Sequence, residues 1–129
     1  MSRIRSKDTK PEMLVRKFLF AHGFRYSLHN KGLPGKPDIV LRKYKTVIFV
    51  HGCFWHGHQN CKYYVVPKTK TDWWLEKISG NVKRDNKNKR ELITQGWKVI
   101  SVFECNLKPV VRQKTLNSLV RKLSKIDAA

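Results

Sequence analysis

The sequence predicts a mixed α/β fold, in which helices pack on a central β-sheet. Segments with helical spacing of apolar residues alternate with runs of β-branched and aromatic residues, and turn residues separate them. The predicted order along the chain is α-β-β-β-α-β-α. At 129 residues, of which 40% are hydrophobic, the chain is long enough for a core of its own. We therefore treat residues 1–129 as a single domain.

The first half of the chain predicts one helix and three strands. Asp8 and Thr9, followed by Pro11, begin the helix, and Gly23 ends it. One face of this helix is predicted to carry Met13, Leu14, Phe18 and Ala21. A short strand, "FRYSL", and a turn-rich connection, "KGLPGKP", follow. "DIVLRKY" and "KTVIFVH" are then predicted to form a hairpin that turns near residues 43–45.

The second half predicts a loop, a helix, a strand and a final helix. Residues 52–69 are polar, aromatic and rich in Gly and Pro, which indicates an ordered loop. A helical region runs from Thr71 to Gly96, and the strand "WKVISVFE" follows it. Trp97 and Phe103 on this strand are predicted core residues. The terminal segment "VRQKTLNSLVRKLSKI" has the pattern of an amphipathic helix.

The charge balance predicts a polyanionic partner. The chain carries 28 Lys+Arg against 9 Asp+Glu, a net charge of +19 with a pI near 10.3. Nucleic acid is the leading candidate, ahead of the ribosome and of acidic membranes, and the cations are densest in "KRDNKNKR" and "VRKLSK". No apolar stretch is long enough to span a bilayer, and the first residues contain no apolar signal core. We therefore expect a cytosolic protein.

The stretch "VIFVHGCFWHGHQNC" concentrates possible metal ligands. The chain contains three cysteines, and an odd count in a reducing compartment favours thiolate ligands over a disulfide framework. Cys53, His58 and Cys61, together with Cys105 just beyond a later strand, suit tetrahedral zinc. The alternative is one buried cysteine among exposed histidines. We favour a structural zinc site that fastens a loop with few apolar residues.

The remaining histidines and a few carboxylates are candidates for acid–base and metal chemistry. If zinc takes those four ligands, His51 and His56 remain available as general base and acid, because histidine titrates near neutral pH. Asp38 opens a strand after a turn, a common position for a carboxylate that holds Mg²⁺, although a capping role is the alternative. Glu12 has a simpler explanation in the helix dipole, and Asp85 in a surface ion pair.

Aromatic residues flank the Cys/His stretch. Phe54 and Trp55 lie between the candidate ligands, where they either join the core or act as wedges that unstack base pairs. The residues alone leave both possibilities open.

Four motifs together resemble one family, the very-short-patch mismatch repair endonucleases. They are "LPGKPDIV", "VIFVHGCFWHGH", "WLEKISGNVKRD" and "GWKVISVFEC", and they occur in order between residues 9 and 107. The resemblance implies a restriction-endonuclease-like domain of the PD-(D/E)xK type, with a central mixed β-sheet flanked by helices and a structural zinc site. It also implies an enzyme that recognises a T:G mismatch, left by deamination of 5-methylcytosine, and nicks the strand 5′ to the thymine.

The resemblance assigns roles in catalysis. Asp38 corresponds to the aspartate that binds catalytic Mg²⁺, and His56 to the general base that acts on water. Asp85 would orient that base, His51 would be the second active-site histidine, and Glu12 would support the network of metal-bound water.

The resemblance also assigns binding roles. Structural Zn²⁺ would be held by Cys53, His58, Cys61 and Cys105. The residues implied in DNA binding are Phe54, Trp55 and Trp74, which would insert beside the mismatch, and Asn81. The implied partner is double-stranded DNA with a T:G mismatch, with other mismatch repair proteins as further candidates. A monomer is expected at the bacterial nucleoid, with no membrane association.

Two alternatives remain beside this interpretation. Val50 stands where the family resemblance predicts a threonine, which motivates a zinc-stabilised DNA-binding module without catalysis. The other alternative is a nuclease of the same fold with a different target site.

Overall fold

A computed structural model describes residues 10–28, 32–52 and 68–128 of the chain. These residues form four strands, which are β1 (Ser27–Leu28), β2 (Ile39–Leu41), β3 (Thr46–His51) and β4 (Lys98–Phe103). They also form three α-helices, which are α1 (Lys10–Ala21), α2 (Thr71–Thr94) and α3 (Arg112–Ala128). Short 3-10 helices follow β2 and β4, at Arg42–Tyr44 and Glu104–Leu107. The order of helices and strands is the predicted one.

The strands form one mixed sheet in the order β1-β2-β3-β4. β2 pairs antiparallel with β3, so that Ile39 lies opposite Ile48. The predicted hairpin is confirmed: Lys45 closes it in the left-handed conformation, with φ of 50°. β3 and β4 are parallel, which requires a crossover, and α2 lies within that connection. His51 at the end of β3 is in register with Phe103 at the end of β4.

One face of the sheet is covered by α1 and α3. Because strand side chains alternate between the faces, Ile39, Leu41 and Ile48 point to this side together with Val102. The helices contribute Val15 and Leu19 of α1 and Leu116, Leu119 and Leu123 of α3. Phe24 and Leu107 complete this cluster, which is the larger apolar core of the described residues.

The other face is covered by α2 and has a smaller core. It consists of Val40, Val47 and Phe49 from the strands, with Leu92 of α2 and Trp97 before β4. α2 is 24 residues long, yet Ile78 and Leu92 are its buried residues, and charged side chains occupy most of its surface. Among the described residues, no helix is long and apolar enough to cross a membrane.

Two local predictions differ from the structure. On α1 the buried residues are Glu12, Val15 and Leu19. Of the predicted face, Leu14 and Phe18 pack half-buried against the larger core, Met13 is half-buried and Ala21 is exposed. The apolar stripe of α1 is broad, so apolar spacing alone did not identify its centre, which contains a carboxylate. β1 is limited to Ser27–Leu28, so Phe24, which was predicted to begin this strand, lies before it and packs into the larger core.

Candidate active site

Asp38 lies directly before β2, at the edge where β3 ends. Because β2 is antiparallel to β3, the start of one strand adjoins the end of the other. The main-chain N–H of Val50 donates a hydrogen bond of 2.7 Å to Oδ2 of Asp38. A bond this short to a charged acceptor is among the stronger hydrogen bonds in proteins. It fixes a half-buried carboxylate beside the residue that precedes His51.

His51 is the last residue of β3 and is only 5% exposed. Its ring stacks on Phe49 with a centroid distance of 5.6 Å and an interplanar angle of 8°. The Phe103 ring of β4 lies 5.3 Å from it, centroid to centroid, at an interplanar angle of 47°. Phe49 and His51 are two residues apart on one strand, so both point toward α2. The imidazole is therefore held in one orientation by aromatic packing.

The sheet-facing side of α2 carries the polar groups of the site. Asp85, Asn88 and Lys89 line a cavity of about 10 Å³ together with Phe49 and His51. That volume is close to the room that one water molecule needs, about 10 to 15 Å³. Asp85 is half-buried where it lines this cavity with His51.

The loop before Asp38 packs closely on α2. Gly35 has φ of +76°, and a Cβ at this position would lie 3.0 Å from the Asn88 side chain. Lys36 is also left-handed, with φ of 49°, and Pro37 is fully buried. The loop is therefore tightly constrained between α2 and the sheet, and it delivers Asp38 to its position.

Glu12 lies in the first turn of α1, the helix that packs on the other face of the sheet from α2. It is 1% exposed, and Nη1 of Arg16 lies 3.3 Å from its Oε2. Helix-dipole stabilisation is typical of exposed first-turn carboxylates, so it does not explain why this one is buried. A buried carboxylate requires pairing, which Arg16 provides one turn later.

Sequence comparisons place these residues in a known family. A sequence model described as "DNA mismatch endonuclease Vsr" matches residues 1–62. The chain is 57% identical over 124 residues to the type II nicking enzyme V.NmeAIP of Neisseria meningitidis serogroup A, covering 95% of this chain and 88% of that relative. It is 43% identical over 108 residues to the DNA mismatch endonuclease Vsr of Escherichia coli, covering 84% and 69%. The chain belongs to the Vsr family.

A third relative is similar over a comparable length. The type II nicking enzyme V.XorIIP of Xanthomonas oryzae is 47% identical over 107 residues, covering 83% of this chain and 78% of that relative. Membership of the Vsr family makes the chain a DNA endonuclease that acts on a DNA substrate, and the predicted family resemblance is confirmed. The mixed four-stranded sheet with three helices in the described residues is consistent with a nuclease-like fold.

Several predicted Vsr-family residues lie outside the described residues. They are the candidate zinc ligands Cys53, His58 and Cys61, the candidate base His56, and the aromatics Phe54 and Trp55. The fourth candidate zinc ligand, Cys105, is half-buried in the 3-10 helix that follows β4. Within the described ranges, no three His, Cys, Asp or Glu side chains form a group that could hold a metal ion.

The predicted DNA-binding residues Trp74 and Asn81 lie on α2 with Asp85. Their spacing of seven and four residues puts all three on one side of the helix, and all three are half-buried. Trp73 packs edge-on against Trp74 with a centroid distance of 4.7 Å and is 53% exposed. Asp85 and this aromatic pair therefore belong to one continuous helix, about three turns apart.

Asn88 and Lys89 were not singled out from the sequence. Both line the cavity beside His51. The signal that could have found them is their spacing of three and four residues from Asp85, which is the spacing of neighbours on a helix face. In a run as basic as "KRDNKNKR", that signal was masked by the many other cations.

Proposed function

We propose that this chain nicks double-stranded DNA 5′ to the thymine of a T:G mismatch, left by deamination of 5-methylcytosine, through Mg²⁺-dependent phosphodiester hydrolysis. Membership of the Vsr family supports the proposal, together with the similarity to the DNA mismatch endonuclease Vsr of Escherichia coli. The observation that carries it is the Asp38 carboxylate bound to the Val50 N–H, one residue before the buried His51.

The residues present are suited to magnesium. Mg²⁺ prefers oxygen ligands and is usually held by one or two carboxylates, with waters and phosphate oxygens completing its shell. Asp38 is a half-buried carboxylate of this kind at a sheet edge, and a main-chain carbonyl would be the second protein ligand. Bound there, two Mg²⁺ ions would neutralise charge that develops on the scissile phosphate.

Val50 is compatible with this arrangement. Its side chain packs against the larger core, and its main-chain N–H binds Asp38. The position thus serves the site through its backbone, which valine supplies as well as threonine. This argues against the alternative of a module that binds DNA without cutting it.

The chain's own residues would handle the proton. His56 is the proposed base that takes a proton from the attacking water, and Asp85 is the proposed residue that orients it. His51 would contribute a second imidazole, whose packing against the Phe49 and Phe103 rings limits its motion. Glu12, with Arg16, would support the metal-bound water network. Each of these roles requires a fixed side chain, because misplacement of a reacting group slows the reaction steeply.

Mismatch recognition is proposed to rest on aromatic side chains. Phe54, Trp55 and Trp74 would insert beside the T:G pair, with Asn81 as a further DNA contact. A T:G pair stacks less well than a matched pair, so unstacking it costs less and wedges select for it. Trp74 is half-buried and supported edge-on by Trp73, which suits a ring that must stay rigid.

A structural zinc ion is the remaining proposal, held by Cys53, His58, Cys61 and Cys105. The parallel register of His51 with Phe103 supports it, because Cys53 and Cys105 each follow these paired residues by two positions in the sequence. The metal would stiffen the segment that contains His56.

A nicking assay on matched sets of duplexes tests the activity. We expect nicks in T:G duplexes with Mg²⁺, none with EDTA, and little cleavage of fully paired or single-stranded DNA of the same sequence. Binding to duplex should weaken steeply as salt rises, because phosphate contacts release counterions. Binding without cleavage at any Mg²⁺ concentration would favour the non-catalytic module instead. Equal cleavage of paired duplexes would favour a nuclease with another target.

Adjacent tryptophans offer a matched test of mismatch recognition. Trp74→Ala should weaken binding to the T:G duplex by about 1 to 3 kcal/mol, the usual value of one base–aromatic stack. Trp73→Ala removes the same side chain one residue away and should weaken it less. The affinity for paired duplex should change little in either variant. A larger effect of Trp73→Ala would contradict the proposed wedge.

The zinc proposal is tested through its described ligand. Cys105→Ser should lower the zinc content, measured by atomic absorption, from about one ion per chain and lower the melting temperature as well. The serine keeps the size of the side chain, so packing is nearly unchanged. A melting temperature that is the same with and without chelator would exclude a structural role.

A further inference from the structure

A second concave surface lies away from the candidate active site. It is a groove of about 400 Å³ between β4 and α3, which we call the edge groove. Its strand side is formed by Ile100, Ser101 and Val102. Consecutive strand residues point to opposite faces, so a groove that reaches all three opens at the edge of the strand. None of the residues assigned to catalysis or to metal lines it.

The helix side of the edge groove is one flank of α3. Lys114, Thr115, Ser118 and Lys122 line it, and their spacing of three and four residues is that of one helix face. No acidic side chain lines the groove in the described part of the chain. Its charge is therefore complementary to a negatively charged occupant.

The strand that borders the groove has one edge without a strand partner in the described part of the chain. β4 is the last strand in the sheet order, so its outer edge has no strand partner among residues 10–28, 32–52 and 68–128. An unpaired strand edge presents main-chain N–H and C=O groups that bind another extended chain well. Proteins commonly protect such edges with lysine on the strand, whereas here the single charge on β4 is Lys98, at its first residue.

Apolar surface lies at the end of the groove. Val111 lines it and is 38% exposed, and the adjacent Val110 is 96% exposed. A nucleic acid backbone has no apolar side chains to pack against these valines and cannot pair with a strand edge. An extended peptide can do both, because it has apolar side chains and main-chain N–H and C=O groups. The combination of charge, open strand edge and valines favours a peptide as the occupant.

The dimensions fit a short extended segment. The flank from Val111 to Lys122 is about 16 Å long at a rise of about 1.5 Å per residue. An extended peptide covers about 3.3 Å per residue, so about five residues would fill the groove. The six-residue strand β4 is of matching length.

We propose that the edge groove binds an extended acidic segment of a partner protein. The segment adds as a strand to the outer edge of β4, and its carboxylates pair with Lys114 and Lys122. The groove shares no residue with the candidate active site, so the partner leaves that site unobstructed. The endonuclease thus has a separate surface through which another protein recruits it.

Fluorescence anisotropy with a designed peptide tests the proposal on the full chain. The probe is a labelled peptide of about seven residues in which Val alternates with Glu. The groove variant is Lys114→Glu with Lys122→Glu. The control is Lys17→Glu with Lys87→Glu, which changes the net charge equally at exposed positions outside the groove. This control separates the groove from the general attraction of a +19 protein for acidic peptides.

We expect the groove variant to bind the probe about tenfold more weakly and the control about twofold more weakly. The groove variant should instead gain affinity for a peptide in which Val alternates with Lys. N-methylation of alternate peptide amides should weaken binding to the unmodified protein, because the strand hydrogen bonds are lost. Ser118→Trp, which fills the groove without a charge, should cause a similar loss. Far-ultraviolet circular dichroism checks that each variant is folded.

Three results would overturn the proposal. The first is equal weakening by the groove and control variants, and the second is binding that N-methylation leaves unchanged. The third is a loss of duplex DNA affinity in the groove variant that exceeds its loss of peptide affinity, which would make the two lysines DNA contacts.

Discussion

The two faces of the sheet divide the work of the molecule. Among residues 10–28, 32–52 and 68–128, eleven are buried in one apolar cluster on the face under α1 and α3, and five on the face under α2. The α2 face, with its smaller apolar cluster, contains the buried His51 and the cavity that Asp85 lines. Apolar burial contributes about 25 cal/mol per Å², so within the described part of the chain the first face contributes the larger share of the stability from apolar burial. The second has room for polar groups that would be costly in a core.

This division explains the form of α2. A helix of 24 residues with two buried ones is anchored at Ile78 and Leu92, with Asn81, Asp85 and Asn88 between the anchors. The polar residues therefore face the sheet in a part of α2 that has no apolar core among the described residues, and the buried residues before and after them along the helix fix their position. Different residues thereby determine the nicking activity and the stability. Substitutions on the α2 face should mainly change the nicking rate, and those on the other face the free energy of unfolding.

The largest effect is expected at Asp38. In Asp38→Asn the amide oxygen still accepts the Val50 N–H, so the fold should persist, while the charge that would hold Mg²⁺ is lost. Metal-assisted charge stabilisation is worth several kcal/mol, so nicking should fall by about a thousandfold at about 1.36 kcal/mol per tenfold. The measurement is the single-turnover rate on a T:G duplex.

Asp72→Asn serves as the control, because it removes the same charge at an exposed position of the first turn of α2. Its rate should stay within about threefold of the unmodified protein, since exposed polar substitutions have small effects. Robust cleavage by Asp38→Asn would remove the assigned metal-binding role.

The next effect is on stability alone and comes from the other face. Leu19 of α1 is fully buried, so Leu19→Ala should lower the free energy of unfolding by about 2 to 5 kcal/mol through lost burial and the cavity left behind. Nicking by the folded fraction should be nearly unchanged. Leu75→Ala makes the same substitution at a side chain that is 44% exposed, and it should cost less than about 1 kcal/mol. Urea unfolding measures both, and a comparable loss in the two variants would contradict the assigned core.

Most of the fold was accessible from sequence because its signals are local. The hairpin between β2 and β3, the limits of α2 and the burial of Trp97 depend on turn residues and periodicity within short windows. The centre of the α1 interface was not accessible in this way. Glu12 is buried beside Arg16, and pairing rather than apolar character makes that possible.

The candidate site was accessible only in part. Asp38 and His51 stood out as residue types at the ends of predicted strands, and the family resemblance singled out Asp85. The contact of Gly35 with Asn88 joins residues far apart in the sequence, so no local pattern could predict it. The aromatic packing of His51 against Phe103 likewise depends on the register of two strands joined by a crossover.

Two glycines, Gly35 and Gly23, allow a test with an expected effect of intermediate size. Gly35→Ala places a side chain at φ of +76° and brings its Cβ to 3.0 Å from Asn88. Gly23→Ala meets the same left-handed strain, at φ of +84°, with nothing within 4 Å. Each should lose roughly 1 to 2 kcal/mol of stability from the backbone conformation. Only Gly35→Ala should also slow nicking, because the displaced loop leads to Asp38.

Adding Asn88→Ala to Gly35→Ala should restore part of the lost rate, since it removes Nδ2 and Cγ, two of the three atoms that crowd the new methyl group, while Cβ stays at 3.0 Å. The assay compares rate and unfolding free energy in the same preparations. An equal loss of rate in Gly23→Ala would show that general strain, and not the α2 contact, governs the site.

The smallest expected change in the free energy of unfolding comes from the contact between Lys45 and Trp97, at the edge of the α2 face. The Lys45 ammonium lies 4.4 Å from the Trp97 ring centroid, and Lys45 itself is left-handed with φ of 50°. Lys45→Ala loses the cation–π contact and should cost about 0.5 to 1 kcal/mol. Lys45→Gly loses the same contact but relieves the backbone, by about 1 kcal/mol, so its stability should match or exceed that of the unmodified protein. The main-chain bond from the Lys98 N–H to the Lys45 carbonyl survives in both. Urea unfolding that gave Ala and Gly the same stability would mean that the left-handed turn carries no strain, and the Trp97 contact would then account for the whole effect.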